Sequence, residues 1–204
     1  YNVISEDLIT FINNHSFKKI HLAGHSMGGK AAMVFADKYP ECIKKLIIID
    51  ISPLAYDKRE ESNLKANHSD ILYFMDEFNI SQMKKRQELL DAAKKYFQDD
   101  FVNQMIQKNV KLTEKGYAWK VNVQVLLNNM QEIGRELTFS EQISQLDALF
   151  IFGKESPYFT ENDYFSVKEN FQNAKISVIK DAGHNIHIDK KEKLLNVMKE
   201  FLES

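Results

Sequence analysis

Leu46-Ile47-Ile48-Ile49-Asp50, read together with Gly24-His25-Ser26-Met27-Gly28, decides the fold of this chain. The first stretch is a continuous apolar, β-branched run that ends in a lone carboxylate. That is the pattern of a strand covered on both faces. The second is a Gly-x-Ser-x-Gly turn that follows a short strand pattern, Lys19-Ile20-His21-Leu22-Ala23. After the turn, Ala31, Ala32, Val34, Phe35 and Ala36 predict a buried helix from Gly28 to Tyr39, stopped by Pro40. Before it, Ile4, Leu8, Ile9, Phe11 and Ile12 recur at helical spacing, with Ser5 as a cap ahead of Glu6-Asp7. Helix, strand, helix and strand at these lengths predict an α/β architecture, a parallel sheet with right-handed crossovers.

The alternation breaks at Ser52-Pro53, and the following residues read mostly as helices. Ile71, Leu72, Met75 and Phe78 form one stripe; Met83, Leu89, Leu90, Ala93 and Phe97 form another; Phe101, Met105 and Ile106 form a third. Gly116-Tyr117-Ala118-Trp119 marks a return towards the body, followed by an apolar helix through Val123, Leu126, Leu127 and Met130. With neither a flexible linker nor a repeat, 54–145 reads as a helical cap inserted into a core made of 1–53 and 146–204. The strand pattern resumes at Ala148-Leu149-Phe150-Ile151-Phe152-Gly153 and again at Ile176-Ser177-Val178-Ile179, with a helix from Tyr164 to Phe171 between them. Asp181-Ala182-Gly183-His184 is a loop, and Lys190 to Leu202 a closing amphipathic helix. The whole predicts a doubly wound, mostly parallel sheet.

Composition narrows the function classes. The 204 residues, 44% of them hydrophobic, suffice for one substantial core. A net charge of -2, from 27 basic and 29 acidic residues, gives no electrostatic reason for nucleic acid or anionic lipid as a partner. Lys84-Lys85-Arg86 and Lys94-Lys95 read as solvated helix faces. The single cysteine, Cys42, allows no internal disulfide and fits a reducing, cytoplasmic setting. No Cys-x-x-Cys or His-Glu-x-x-His spacing suggests a metal site. No apolar run approaches the roughly 18 residues of a membrane span.

The Gly-x-Ser-x-Gly turn carries the chemistry. A serine on a sharp strand-to-helix bend projects its Oγ clear of the sheet, and the Met27 N–H at the helix start then faces a developing oxyanion. The flanking glycines are expected where a Cβ would strike backbone. Ser26 needs a base. His184, on a loop after a strand and before the last helix, is the candidate, because catalytic groups of open parallel sheets gather at the strands' C-terminal edge. His25 is expected to line the pocket, His21 to be structural, and His15, His68 and His187 to be solvated or polar loop residues.

These motifs resemble the α/β-hydrolase superfamily. Gly24 to Gly29 is similar to its nucleophile elbow, Asp181 to His184 to its histidine loop, and 54–145 to its cap. The resemblance implies a serine esterase or thioesterase with no metal or organic cofactor, acting on a small acyl ester or thioester. A C–C bond hydrolase, a lyase-like member and a non-catalytic binding protein are the alternatives. In most members the acid lies three residues after the glycine that closes the late strand. Here that glycine is Gly153, and Ser156 holds the place.

Glu155 or Asp163 could replace the acid from the same loop, or Asp50 could supply it from the tip of the strand after the nucleophile helix. The chain resembles the YbfF-type bacterial esterases, which use the second arrangement, in Asp50-Ile51-Ser52-Pro53, Gly153-x-x-Ser156-Pro157-Tyr158 and Trp119-Lys120-Val121-Asn122. A desolvated carboxylate at Asp50 requires a partner, and the His184 imidazole is one. The plainer reading of Asp50 is a carboxylate capping the next turn through Ser52. Ser156 is expected to bond the Asp50–His184 pair, and Tyr158 and Trp119 to border an apolar acyl pocket.

The family's second oxyanion donor and first strands are expected upstream of Tyr1, or from another chain. On that reading the 204 residues leave a sheet edge open to an upstream segment, a second chain or an oligomer partner.

Overall fold

A computed structural model describes residues 1–55 and 68–204. The expected insertion therefore falls outside the described residues over 56–67. The chain divides into two compact units, one made of Tyr1–Tyr56 and Arg135–Ser204, the other of Asp57–Gly134.

In the first unit, helix α1 (Asn2–Asn14) leads into strand β1 (Ile20–His25), helix α2 (Met27–Lys38) and strand β2 (Ile43–Ile49). The second unit holds α3 (His68–Glu77), α4 (Arg86–Tyr96) and α5 (Asp100–Lys108), then β3 (Val110–Thr113), β4 (Gly116–Trp119), α6 (Val123–Asn128) and α7 (Met130–Gly134). Back in the first unit come β5 (Ala148–Gly153), α8 (Glu161–Asn170), β6 (Lys175–Ile179), α9 (Ile186–Asp189) and α10 (Lys191–Glu203). Among the described residues no helix is long and apolar enough to cross a membrane.

The main sheet is parallel in the order β1-β2-β5-β6. The two central strands are covered on both faces, which is why their sequences are unbroken apolar runs. Leu46, Ile48, Phe150 and Phe152 pack with Ile12 of α1, Met33 and Phe35 of α2, and Val167 of α8. Ile47, Ile49, Leu149 and Ile151 point the other way, onto Ile186, Leu194 and Phe201 of α9 and α10. The alternation along each strand thus builds one core above and one below, each buried branched side chain contributing about 1.5–3 kcal/mol. This is the doubly wound arrangement that the sequence predicts.

Register brings the strand tips level. His25 pairs with Ile49, Ile49 with Ile151, and Gly153 with Ile179. The hydrogen bonds continue one residue past the strands: Ser26 N–H to the Ile49 carbonyl at 2.9 Å and Asp50 N–H to the Ile151 carbonyl at 2.8 Å. Ser26, Asp50 and the loop after Gly153 therefore leave the sheet along one edge.

The second unit departs from the expected run of helices. Val110–Thr113 and Gly116–Trp119 form an antiparallel hairpin, with Val110 opposite Trp119. The sequence reading treated the second of these segments as a connection. Gly116, at φ 107°, supplies the left-handed bend the hairpin needs. Phe101 is also displaced from its expected stripe: it is exposed, while Val102 and Ile106 of α5 fill the unit's core. The helix expected through Met130 is two short ones, α6 and α7. The return to the first unit comes at Arg135 rather than 146, because Leu137 and Ile143 are buried in the sheet's own core.

Candidate active site

Ser26 caps the N-terminus of α2 with φ 53° and ψ -124°, a conformation that a residue bearing a Cβ adopts only under strain. Close packing beneath it explains one glycine and not another. A Cβ on Gly24 would lie 2.3 Å from the Gly28 carbonyl oxygen, whereas a Cβ on Gly28 would meet nothing within 4 Å. The expectation that both glycines are sterically required thus holds for Gly24 and not for Gly28. Met27 opens α2, and first-turn N–H groups have no acceptor inside a helix. Its amide is in the position an oxyanion donor needs.

Asp50 also has a positive φ, 55°, as does Asp181 at 54°, ahead of the histidine loop. Backbone strain therefore recurs at the tips of β1, β2 and β6, and short polar side chains tolerate it best. The bend at Asp50 turns its carboxylate into the protein, where it is fully buried. Three donors meet it there. Gly153 N–H reaches Oδ1 at 2.8 Å, His184 Nδ1 reaches Oδ2 at 2.7 Å, and the Ser156 hydroxyl donates to Oδ2. A carboxylate only accepts, so Nδ1 of His184 carries the proton and Nε2 is left with its lone pair. Ser52 does not bind Asp50. It donates to Asp163 and accepts from Leu54 N–H at 3.3 Å, so the reading of Asp50 as a cap through Ser52 is replaced by its bond to His184.

The two other acids are committed elsewhere. Glu155 accepts from Ala182 N–H at 2.6 Å, bracing the histidine loop from below. Asp163 closes a capping box on α8 with Thr160, taking its N–H at 2.9 Å and its hydroxyl at 2.6 Å. Neither carboxylate is bonded to His184.

His184 is held by further contacts. The buried Tyr158 ring lies 4.4 Å from its imidazole, so Tyr158 backs the histidine instead of bordering an open pocket as expected. His25 stacks on the other side at 4.6 Å and donates from Nε2 to the His184 carbonyl at 2.9 Å. Burial pushes the His25 imidazole below its ordinary 6.5; the nearby His184 and His187 act in the same direction, and the bond to the carbonyl opposes them. His21, expected to be structural, is exposed. His187, expected to be a polar loop residue, is exposed on α9 with its ring 5.3 Å from His25.

Trp119 belongs to the second unit. Its indole N–H donates to the Met75 carbonyl at 2.9 Å, and with Phe78, Ile80 and Val123 it lines a cavity of about 770 Å³. Sequence reasoning did not anticipate the bracing role of Glu155 or the Gly153 N–H on Asp50. A backbone donor leaves no trace in a sequence.

This fold and these strand tips are those of an α/β hydrolase, and the chain belongs to that family: the model for the alpha/beta hydrolase fold matches residues 1–191. Among solved structures, a marine microorganism esterase is 32% identical and superposes with a TM-score of 0.91, over 98% of this chain and 77% of that one. The esterase YbfF of Escherichia coli (strain K12) is 29% identical over 99% of this chain and 74% of its own length. An sn-1-specific diacylglycerol lipase of Danio rerio is 28% identical over 100% of this chain and 63% of its own. The chain thus spans about two thirds to three quarters of these relatives.

Proposed function

We propose that the protein is a serine hydrolase of carboxylic esters or acyl thioesters. The observation that carries this reading is the 2.7 Å bond from His184 Nδ1 to a fully buried Asp50, on the sheet edge where Ser26 caps the nucleophile helix. The esterase and lipase relatives support it.

In this mechanism Ser26 Oγ attacks the acyl carbonyl as His184 Nε2 takes its proton. Asp50 stabilises the imidazolium and holds the tautomer. The Met27 N–H, aligned with the α2 dipole, stabilises the tetrahedral oxyanion. The intermediate collapses by breaking the bond to the alcohol or thiol, which leaves with the proton from His184. Water, deprotonated by the same Nε2, then attacks the acyl-enzyme and releases the acid and Ser26. Ser156 and the Gly153 N–H keep Asp50 ionised and oriented. The chemistry uses no metal or organic cofactor, and the reading includes a cytoplasmic location.

A fluorophosphonate probe should label the full-length protein at Ser26, and labelling should vanish in Ser26→Ala. Hydrolysis of p-nitrophenyl esters across acyl lengths should identify the preferred acyl group. A folded protein that neither reacts with the probe nor turns over any ester would overturn the reading in favour of a non-catalytic role.

A further inference from the structure

Lys30 is fully buried on α2, one helical turn after Ser26, with its N–H bonded to the Ser26 carbonyl at 3.2 Å. Its ammonium donates to the Leu54 carbonyl at 2.9 Å and to the Arg135 carbonyl. Those two residues are where the chain leaves the first unit and where it re-enters. The two crossings are also joined directly, Leu137 N–H to the Pro53 carbonyl at 2.9 Å. A single cation thus gathers both strands of the stem and anchors them to the helix that presents the nucleophile.

Burying an ammonium is costly, and apolar side chains of similar volume often replace buried charges without loss of stability. What an apolar side chain cannot do is hold two carbonyl oxygens at one point. Lysine suits that task, because its three N–H donors radiate from a single atom, whereas the guanidinium fork of arginine spreads its donors in a plane.

We infer that Lys30 is a positioning residue for the hydrolase reaction, fixing the stem of the 57–134 insertion relative to Ser26. This rests on the hydrolase reading above. Without the clamp, the stem carbonyls must find other donors, and the direction in which the insertion leaves the unit is no longer set. Substrates large enough to be gripped by the insertion lose binding; a small ester that needs only the strand-tip groups does not.

The test uses Lys30→Met in the full-length protein. The KM for a long-chain p-nitrophenyl ester should rise about tenfold. Turnover of p-nitrophenyl acetate and fluorophosphonate labelling of Ser26 should stay near wild type, and amide exchange at Leu137 should quicken. Lys30→Arg should shift the same readouts in the same direction by less, and it decides the matter if Lys30→Met does not fold. Unchanged exchange at Leu137, or equal losses on short and long esters, would overturn the inference. If the wild-type protein hydrolyses no ester, the hydrolase reading fails, while exchange at Leu137 still decides whether Lys30 clamps the stem.

Discussion

The tips of β2 and β5 lie side by side in the sheet, and both are followed by oxygen-bearing side chains, yet they do different things. The β2 tip offers one carboxylate, Asp50, fully buried and bonded to His184. The loop after β5 offers Glu155, Ser156 and Asp163, and each is used up locally: in bracing Ala182, in donating to Asp50 and in capping α8. What β5 adds to the site beyond Ser156 is backbone: the Gly153 N–H on Asp50, and room. A Cβ on Gly153 would lie 2.3 Å from the Gly183 oxygen and 2.4 Å from the Ala182 oxygen, in the loop that carries His184. A carboxylate's reach to the base is therefore decided by the other donors around it, not by its place in the chain.

Substitution can break this contrast. Asp50→Asn should lower turnover by about 10⁴-fold, as expected when the base is held in the wrong tautomer. Glu155→Gln and Asp163→Asn should leave turnover near wild type and lower stability by about 1–2 kcal/mol through the lost loop brace and cap. Steady-state kinetics beside denaturant melts separate the two; equal effects on turnover would remove Asp50 from its special place.

Next in size is the role of room at the β5 tip. Gly153→Ala should cost about 3 kcal/mol or more in denaturant unfolding, because a backbone contact has to move. Gly28→Ala, which meets open space, should be neutral or stabilising by up to ~1 kcal/mol. Ser156→Ala then sharpens the contrast. Loss of one hydrogen bond to a charged carboxylate, about 1.5–3 kcal/mol, should reduce turnover about tenfold or more with the fold intact.

The smallest expected effect is a pH dependence through His25. Its imidazole titrates below 6.5 in the folded chain, principally because it is buried. Above 6.5 it is neutral in both states. As pH falls below that value the unfolded chain takes up a proton first, so stability declines until the folded value is passed. In His25→Gln this part of the decline should disappear, giving a shallower stability–pH slope below 6.5, read from denaturant midpoints.

Much of the site was legible in the sequence because it depends on local rules. The elbow announces itself as Gly-x-Ser-x-Gly between strand and helix patterns, and His184 by its loop after a late strand. Asp50 was legible as one of three acids, chosen by resemblance. The β3–β4 hairpin was not, since Gly116-Tyr117-Ala118-Trp119 is too short to show a period. Nor was the exposure of Phe101, because several registers of an apolar stripe fit one helix.

The sequence by itself determined the parallel sheet, its two cores and the serine turn, since strand and helix periodicity and the elbow's glycines are properties of neighbouring residues. The tertiary structure alone decided which acid meets His184 and what holds it there. Strand register brings Ser26, Asp50 and Gly153 to one edge, and the positive φ at Asp50 turns its carboxylate inward to donors far away in sequence. Those donors lie 103, 106 and 134 residues along the chain, beyond the reach of any local pattern.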